Sequence, residues 1–294
     1  MKPAPFDYHA PATLAEAIAL LREHGDAAKL LAGGQSLVPM LNMRLARPGV
    51  LIDLNRVAGL SDVRQEGDTL VIGAMTRHAE VERSALVARL QPLLTEAMAQ
   101  VGHIQIRNRG TIGGSLVHAD PSAELPAVLV ALDGSVRVAG PGGEREIAAA
   151  DLFLMYFTTS LQADEVLTEV RLPVLPAQTG WAFEEVARRH GDFALVGVAV
   201  TLTLDEEGGI SAGRIALTGV GMTPVRAASA EARLAGRPPT PEVFAEAASA
   251  VRDEIEPDTD IHATADFRRH LAGVLTERAL GRALQRALER VGSR

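Results

Sequence analysis

The spacing of apolar positions divides the chain into a mixed first part and a second part in which strands precede helices. Thr13 and Glu16 have the spacing of a capping box, and Leu14, Ile18 and Leu21 recur behind them at helical intervals. This predicts a helix over residues 14–23, ended at His24 and Gly25. Residues 29–32 form a short apolar strand, Gly33, Gly34 and Gln35 turn the chain, and Ser36 is placed to cap a short helix through Met40. Residues 50–54 and 69–73 read as buried strands, and residues 86–100 and 122–132 as helices. Between those helices, residues 102–115 hold four glycines and no period, and are expected to be irregular. Strands at 135–138 and 166–172 follow, then a proline-bearing linker over 173–180.

Beyond it, residues 180–188, 193–204 and 210–220 predict three successive strands, with a turn at Glu206, Glu207, Gly208 and Gly209. Helices over 241–254 and 264–291 complete the pattern. Strands followed by helices imply an α+β unit whose helices cover one face of an antiparallel sheet. The first part lacks a clean βαβ alternation, so the class is α+β throughout, divided at about residue 175.

Composition narrows the chemistry. The chain has 294 residues, 47% hydrophobic and 22% charged, which is globular and enough for two domains. No apolar run approaches the ~18 residues of a membrane span, and no secretion signal opens the chain, so a cytoplasmic protein is expected. A net charge of −8 argues against nucleic acid or anionic membrane as partner. With no cysteines there can be no disulfide, cysteine-ligated zinc or iron–sulfur cluster, or cysteinyl link to a cofactor; any iron–sulfur centre in the system belongs to another chain. Of the basic residues 27 are arginines and two are lysines, and one of those, Lys29, stands just ahead of the first glycine pair.

Two segments resemble each other: Ala32, Gly33, Gly34, Gln35, Ser36 and Leu37, and Ile112, Gly113, Gly114, Ser115 and Leu116. Paired glycines permit positive φ and let backbone N–H groups converge, and a helix start behind them makes a site for a pyrophosphate. Lys29 before one segment, and Arg107 and Arg109 before the other, add positive potential; Ser36, Thr111 and Ser115 add hydroxyls. A lone glycine pair is usually a turn, whereas two similar ones point to an anion without naming it. There is no Walker sequence, no Gly-x-Gly-x-x-Gly after the first strand and no Gly-x-Ser-x-Gly elbow. His118, Asp120 and Glu124 include a single histidine and are expected to hold no metal, and Arg188, Arg189 and His190 read as a solvated turn.

The run from Lys29, Leu30 and Leu31 through the first glycine pair to Pro48 resembles the first flavin motif of the medium subunits of molybdenum hydroxylases, of which aerobic carbon monoxide dehydrogenase is a member. Gly110, Thr111, Ile112, Gly113, Gly114 and Ser115, continued by residues 118–126, resemble the second; residues 71–76, 166–173 and 187–194 match in order. The resemblance implies a vanillyl-alcohol-oxidase-type (PCMH) FAD-binding domain over residues 1–175, with subdomains at about 1–57 and 58–175, and a C-terminal flavoprotein domain over 176–294 with a three-stranded sheet and helices. It implies non-covalent FAD, held at its diphosphate and ribityl region by Lys29 to Leu37 on one side and Gly110 to Ser115 on the other. Asp120 and Glu124 would accept hydrogen bonds from cofactor hydroxyls, Leu167 would pack near the adenine or ring end, and Phe193 would lie over the isoalloxazine. No catalytic acid or base is implied.

Relatives often carry a lysine near Glu184 and Glu185, where this chain has acids, a departure that touches redox tuning rather than binding. The implied partners are a large molybdopterin subunit and a small subunit with two [2Fe–2S] clusters, as a dimer of heterotrimers. The implied role is electron transfer from those clusters to an acceptor. A stand-alone flavin oxidoreductase and a non-catalytic FAD-binding maturation protein use the same residues and stay open. The substrate (carbon monoxide, a heteroaromatic ring or an aldehyde) is not written in this chain.

Overall fold

A computed structural model describes residues 2–292. The N-terminal unit runs β1 (Asp7–His9), α1 (Leu14–His24), β2 (Ala28–Leu31), α2 (Leu37–Asn42) and β3 (Val50–Asp53). Its three strands pair in parallel in the order β1-β3-β2. The capping box forms: the Thr13 hydroxyl accepts the Glu16 N–H at 3.2 Å, and the Glu16 carboxylate accepts the Thr13 N–H at 3.3 Å. Ala17 and Leu21 on α1 are buried with Val50 and Ile52 on β3. Parallel strands need a crossover, and residues 32–49 provide the one from β2 to β3. The first glycine segment therefore lies at the carboxyl end of β2, on the same sheet edge as the turn after β3, the edge where open α/β sheets take ligands.

The central unit is a five-stranded antiparallel sheet in the order β4 (Val63–Glu66), β5 (Thr69–Gly73), β10 (Val166–Pro173), β6 (Ser135–Gly140) and β7 (Gly143–Ala148). Between β5 and β6 come six helices, α3 (His78–Arg83), α4 (Ala85–Leu90), α5 (Pro92–Met98), α6 (Ile104–Arg107), α7 (Ile112–His118) and α8 (Glu124–Ala131). After β7, α9 (Ala149–Leu152) leads to a hairpin of β8 (Phe153–Met155) and β9 (Thr158–Thr159). Two expectations change here. The helix over 86–100 is two helices, because Pro92 forces Gln91 out of helical geometry (φ −141°, ψ 68°) and opens α5 as its first residue. Residues 102–115 are not irregular: they contain α6 and the first turn of α7, so the second glycine pair sits inside a helix.

The C-terminal sheet is antiparallel, β11 (Thr179–Ala187), β12 (Ala194–Leu204) and β13 (Ile210–Thr218), and a two-residue β14 (Val225–Arg226) adds a fourth strand to the three expected. α10 (Ala228–Leu234), α11 (Pro241–Glu254) and α12 (Ala265–Gly292) follow. Ala182, Val196, Val198 and Val200 pack with α11 and α12, whereas Phe183, Ala199 and Ala216 join the core of the central unit. Burial on both faces explains the near-continuous apolar run of β12. Across this junction Arg282 and Arg286 of α12 pair with Glu96 of α5, and Arg286 stacks on Trp181, 5.0 Å from the ring centre. No helix among the described residues is long and apolar enough to cross a membrane.

Candidate cofactor-binding site

The two glycine segments, distant in sequence, meet. A Cβ placed on Gly33 would fall 2.3 Å from the Arg109 carbonyl oxygen and 2.7 Å from the Gly110 Cα. One on Gly114 would fall 2.7 Å from the Thr111 hydroxyl and 3.4 Å from the Ala32 Cβ. At Gly33 the approach is to backbone and excludes any side chain, whereas at Gly114 a side chain would displace the Thr111 hydroxyl that caps the helix. Gly34 turns the chain at φ +73°.

The segments do different work. Among the described residues, no protein acceptor takes the backbone N–H of Gly33, Gly34, Gln35, Ser36 or Leu37; the helix ladder starts with the Val38 N–H on the Gly34 carbonyl, 2.9 Å. These are five consecutive free donors, with Gln35 exposed and Gly34, Ser36 and Leu37 half-buried. The exposed Lys29 lies two residues upstream of Leu31, on β2, and Leu30 and Ala32 pack against the core of the N-terminal unit. Ser36 stands at the cap position of α2 as expected, but its hydroxyl makes no cap bond.

The second segment has already spent its amides. Ile112 donates to the Thr76 carbonyl at 3.1 Å, Gly113 to the Ala74 carbonyl at 2.9 Å, Gly114 to the Thr111 hydroxyl at 3.1 Å, and Ser115 to the Thr111 carbonyl at 3.1 Å. Gly110, Thr111, Ile112 and Gly113 are buried, while Ser115 is half-buried. This segment is a rigid wall against which the first segment's donors are set. Arg107 does not add charge to the site as expected, because Glu82 at 2.9 Å and the Val101 and Gly102 carbonyls at 3.1 Å engage it. Arg109 is exposed.

What fastens the two together escaped the sequence reading. Asn55, in the turn after β3, donates to the Ala32 carbonyl at 3.0 Å. The Arg77 guanidinium donates to the Asn55 side-chain oxygen and to the Arg109 carbonyl, so one arginine ties both segments. His78 is buried beside Gly110, where a Cβ would meet its Nδ1 at 2.8 Å. Neither ring nitrogen has a hydrogen-bond partner in normal geometry, and burial pushes its pKa down to about 4, leaving the ring neutral. No motif signals these residues, since their partners lie 22 to 32 positions away.

Acids line the far side. α7 ends at Ala119, which is left-handed (φ 50°), and the His118 ring tilts against Phe157 at 5.2 Å. Burial lowers the pKa of His118; Asp120 opposes that and Lys29 adds to it, which brings the three into one neighbourhood. Asp120 accepts the Ser122 N–H at 2.9 Å. Glu124 opens α8 and is 7% exposed; burial raises its pKa to about 7, and the nearby Asp120 adds to the rise. Leu167 is buried in the central core on β10, beside Thr168, whose carbonyl accepts the Ala74 N–H. Phe193 is 67% exposed before β12. It follows a loop whose Gly191 abuts the ring of His103. Among the described residues no three of His, Cys, Asp and Glu gather as metal ligands.

Free amides near a lysine, set against close-packed glycines and bordered by acids, are the features of a protein that binds an anionic ligand. Comparison with known proteins makes this specific. Residues 4–175 match the family model described as the FAD binding domain in molybdopterin dehydrogenase, and residues 181–283 match the CO dehydrogenase flavoprotein C-terminal domain. The chain is 45% identical to the alpha subunit of the 6-hydroxypseudooxynicotine dehydrogenase complex of Paenarthrobacter nicotinovorans, covering 98% of this chain and 97% of that protein. It is 42% identical to the carbon monoxide dehydrogenase medium chain of Hydrogenophaga pseudoflava, covering 97% and 99%. A solved carbon monoxide dehydrogenase from that organism superposes with a TM-score of 0.95 at 44% identity, over 97% of this chain and 99% of that one. Quinoline 2-oxidoreductase from Pseudomonas putida 86 superposes at 0.93 and 39% identity, over 98% and 100%. The chain belongs to the FAD-binding medium subunits of the molybdenum hydroxylase family, and its cofactor is FAD.

Proposed function

We propose that this chain takes electrons from the [2Fe–2S] clusters of a small partner subunit and passes them to an external acceptor, within a complex whose large subunit holds the molybdopterin. The observation that carries this is the absence of cysteine in a chain that matches the FAD-binding family over residues 4–175 and keeps a run of free backbone donors at residues 33–37. Its own residues bind a flavin and none can hold an iron–sulfur centre. When bound, FAD supplies the redox chemistry.

The chain's contribution is position and electrostatics. Residues 33–37 would hold the diphosphate through their free N–H groups, with Lys29 neutralising part of its charge. Gly110 to Ser115 would form the opposite wall, Asp120 and Glu124 would accept from the cofactor's hydroxyls, and Phe193 would cover the ring. Leu167, committed to the core, would support the site from behind. The proposed division is an FAD domain over 1–175 in two parts and a C-terminal domain over 176–294, with the assembly a dimer of heterotrimers in the cytoplasm. Purification from the native host is expected to bring down a large molybdopterin protein and a small iron–sulfur protein with this chain. A chain recovered alone, with substrate-dependent flavin reduction of its own, would refute the subunit role.

A further inference from the structure

Glu184 and Glu185 are neighbours with opposite fates. Strand alternation sends Glu184 toward α12, where it pairs with Arg282 and Arg278. Glu185 points the other way, with Phe183, toward the central unit. It pairs in register with Gly197, and Gly197 with Thr218, so Glu185 and Thr218 face the same side across a residue that has no side chain. A Cβ at Gly197 would lie 2.7 Å from the Thr218 methyl and 3.8 Å from Glu185 Oε2. The Thr218 hydroxyl donates to the Pro121 and Ala123 carbonyls, 2.8 Å from each, and so fixes the backbone that carries the next residue, Glu124. Glu185 Oε2 thus lies across Gly197 from the threonine that anchors the backbone leading into Glu124.

Neither has a counter-ion. Among the described residues no lysine, arginine or histidine lies within ion-pair distance of Glu124 or Glu185, and Glu185 Oε2 is buried without a hydrogen-bond partner. Of the other charged groups on the packed elements, Glu96 on α5 is taken by Arg282 and Arg286, and Asp120 before α8 adds further negative charge. Burial pushes Glu185 up to about 8, and Glu124 pushes in the same direction. Two carboxylates this poorly solvated cannot both ionise cheaply.

We propose that Glu124 and Glu185 hold one proton between them, and that binding of the anionic cofactor is linked to that proton. The linkage rests on the FAD reading above, in which Glu124 faces the cofactor's hydroxyls. Those donors favour ionised Glu124 and leave the proton on Glu185. Losing it adds a second negative charge beside an anionic ligand, so affinity should fall as pH rises.

The test is FAD binding to the flavin-free full-length chain, followed by flavin fluorescence between pH 7 and pH 9, with proton uptake read by calorimetry in buffers of different ionisation enthalpy. The wild type is expected to weaken roughly tenfold, one proton per FAD, and Glu185→Gln to keep its pH 7 affinity at pH 9. A flat wild-type profile, or a Glu185→Gln profile that falls in parallel, overturns the proposal. Carboxyl carbon NMR of the glutamate-labelled wild type is independent of any variant and of FAD. One carboxyl titrating above about pH 6.5 supports the pair, and none doing so overturns it, even if FAD binding itself were to fail.

Discussion

Gly33 and Arg77 show how little of a cradle lies in the atoms that touch a ligand. Gly33 is fixed by the Arg109 carbonyl 2.3 Å from where a side chain would begin. Gly33→Val must push the two segments apart, and is expected to weaken FAD binding on the order of 100-fold, about 2.7 kcal/mol, with the far-ultraviolet circular dichroism unchanged. Arg77→Met removes the tie between Asn55 and Arg109 without touching the free amides. A roughly tenfold loss of FAD affinity is expected, partly restored in Arg77→Lys, which keeps one donor. His78 gives a pH dependence. Its folded pKa, about 4, lies below the ordinary 6.5, so the neutral ring contributes stability above pH 6.5 that is lost as pH falls toward 4. Thermal melts from pH 7 to pH 4 should show a steeper fall for the wild type than for His78→Leu. These residues also mark the limit of the sequence. The glycines were legible because their chemistry is local, whereas Asn55, Arg77 and His78 act on partners the sequence does not place beside them.

At the scale of elements, legibility followed the strength of the local signal. The Thr13 capping box, the buried strands of the first two sheets and the long apolar β12 all declare themselves by period. α7 does not, because Gly113 and Gly114 are poor helix formers; the Thr111 cap and the bonds to Ala74 and Thr76 hold it instead. β7 is an exposed edge strand with a single buried residue, Ile147, and so lacks an apolar alternation. β14 has only two residues. The joint between the central and C-terminal units was equally silent, since Glu96 and Arg286 lie 190 residues apart. Glu96→Ala leaves Arg282 and Arg286 half-paired under partial exposure, so a loss of about 1–2 kcal/mol is expected. In a urea melt this appears as a lower midpoint with an unchanged slope.

The whole molecule combines a run of free backbone donors at a parallel sheet edge, a wall built on the central sheet, and a C-terminal sheet packed between α8 and α12. The sequence resemblance supplied the family and its cofactor, and the geometry shows that the two similar segments are not equivalent: one keeps its amides free and the other has spent them. The most direct test of this account is the flavin content of the complex that contains this chain, read at ~450 nm against protein concentration, for the wild type and for the Gly33→Val, Gly114→Val double variant. One FAD per chain in the wild type and none in an otherwise intact double variant is the expected result. A complex without flavin, or a double variant that keeps its full complement, would contradict it.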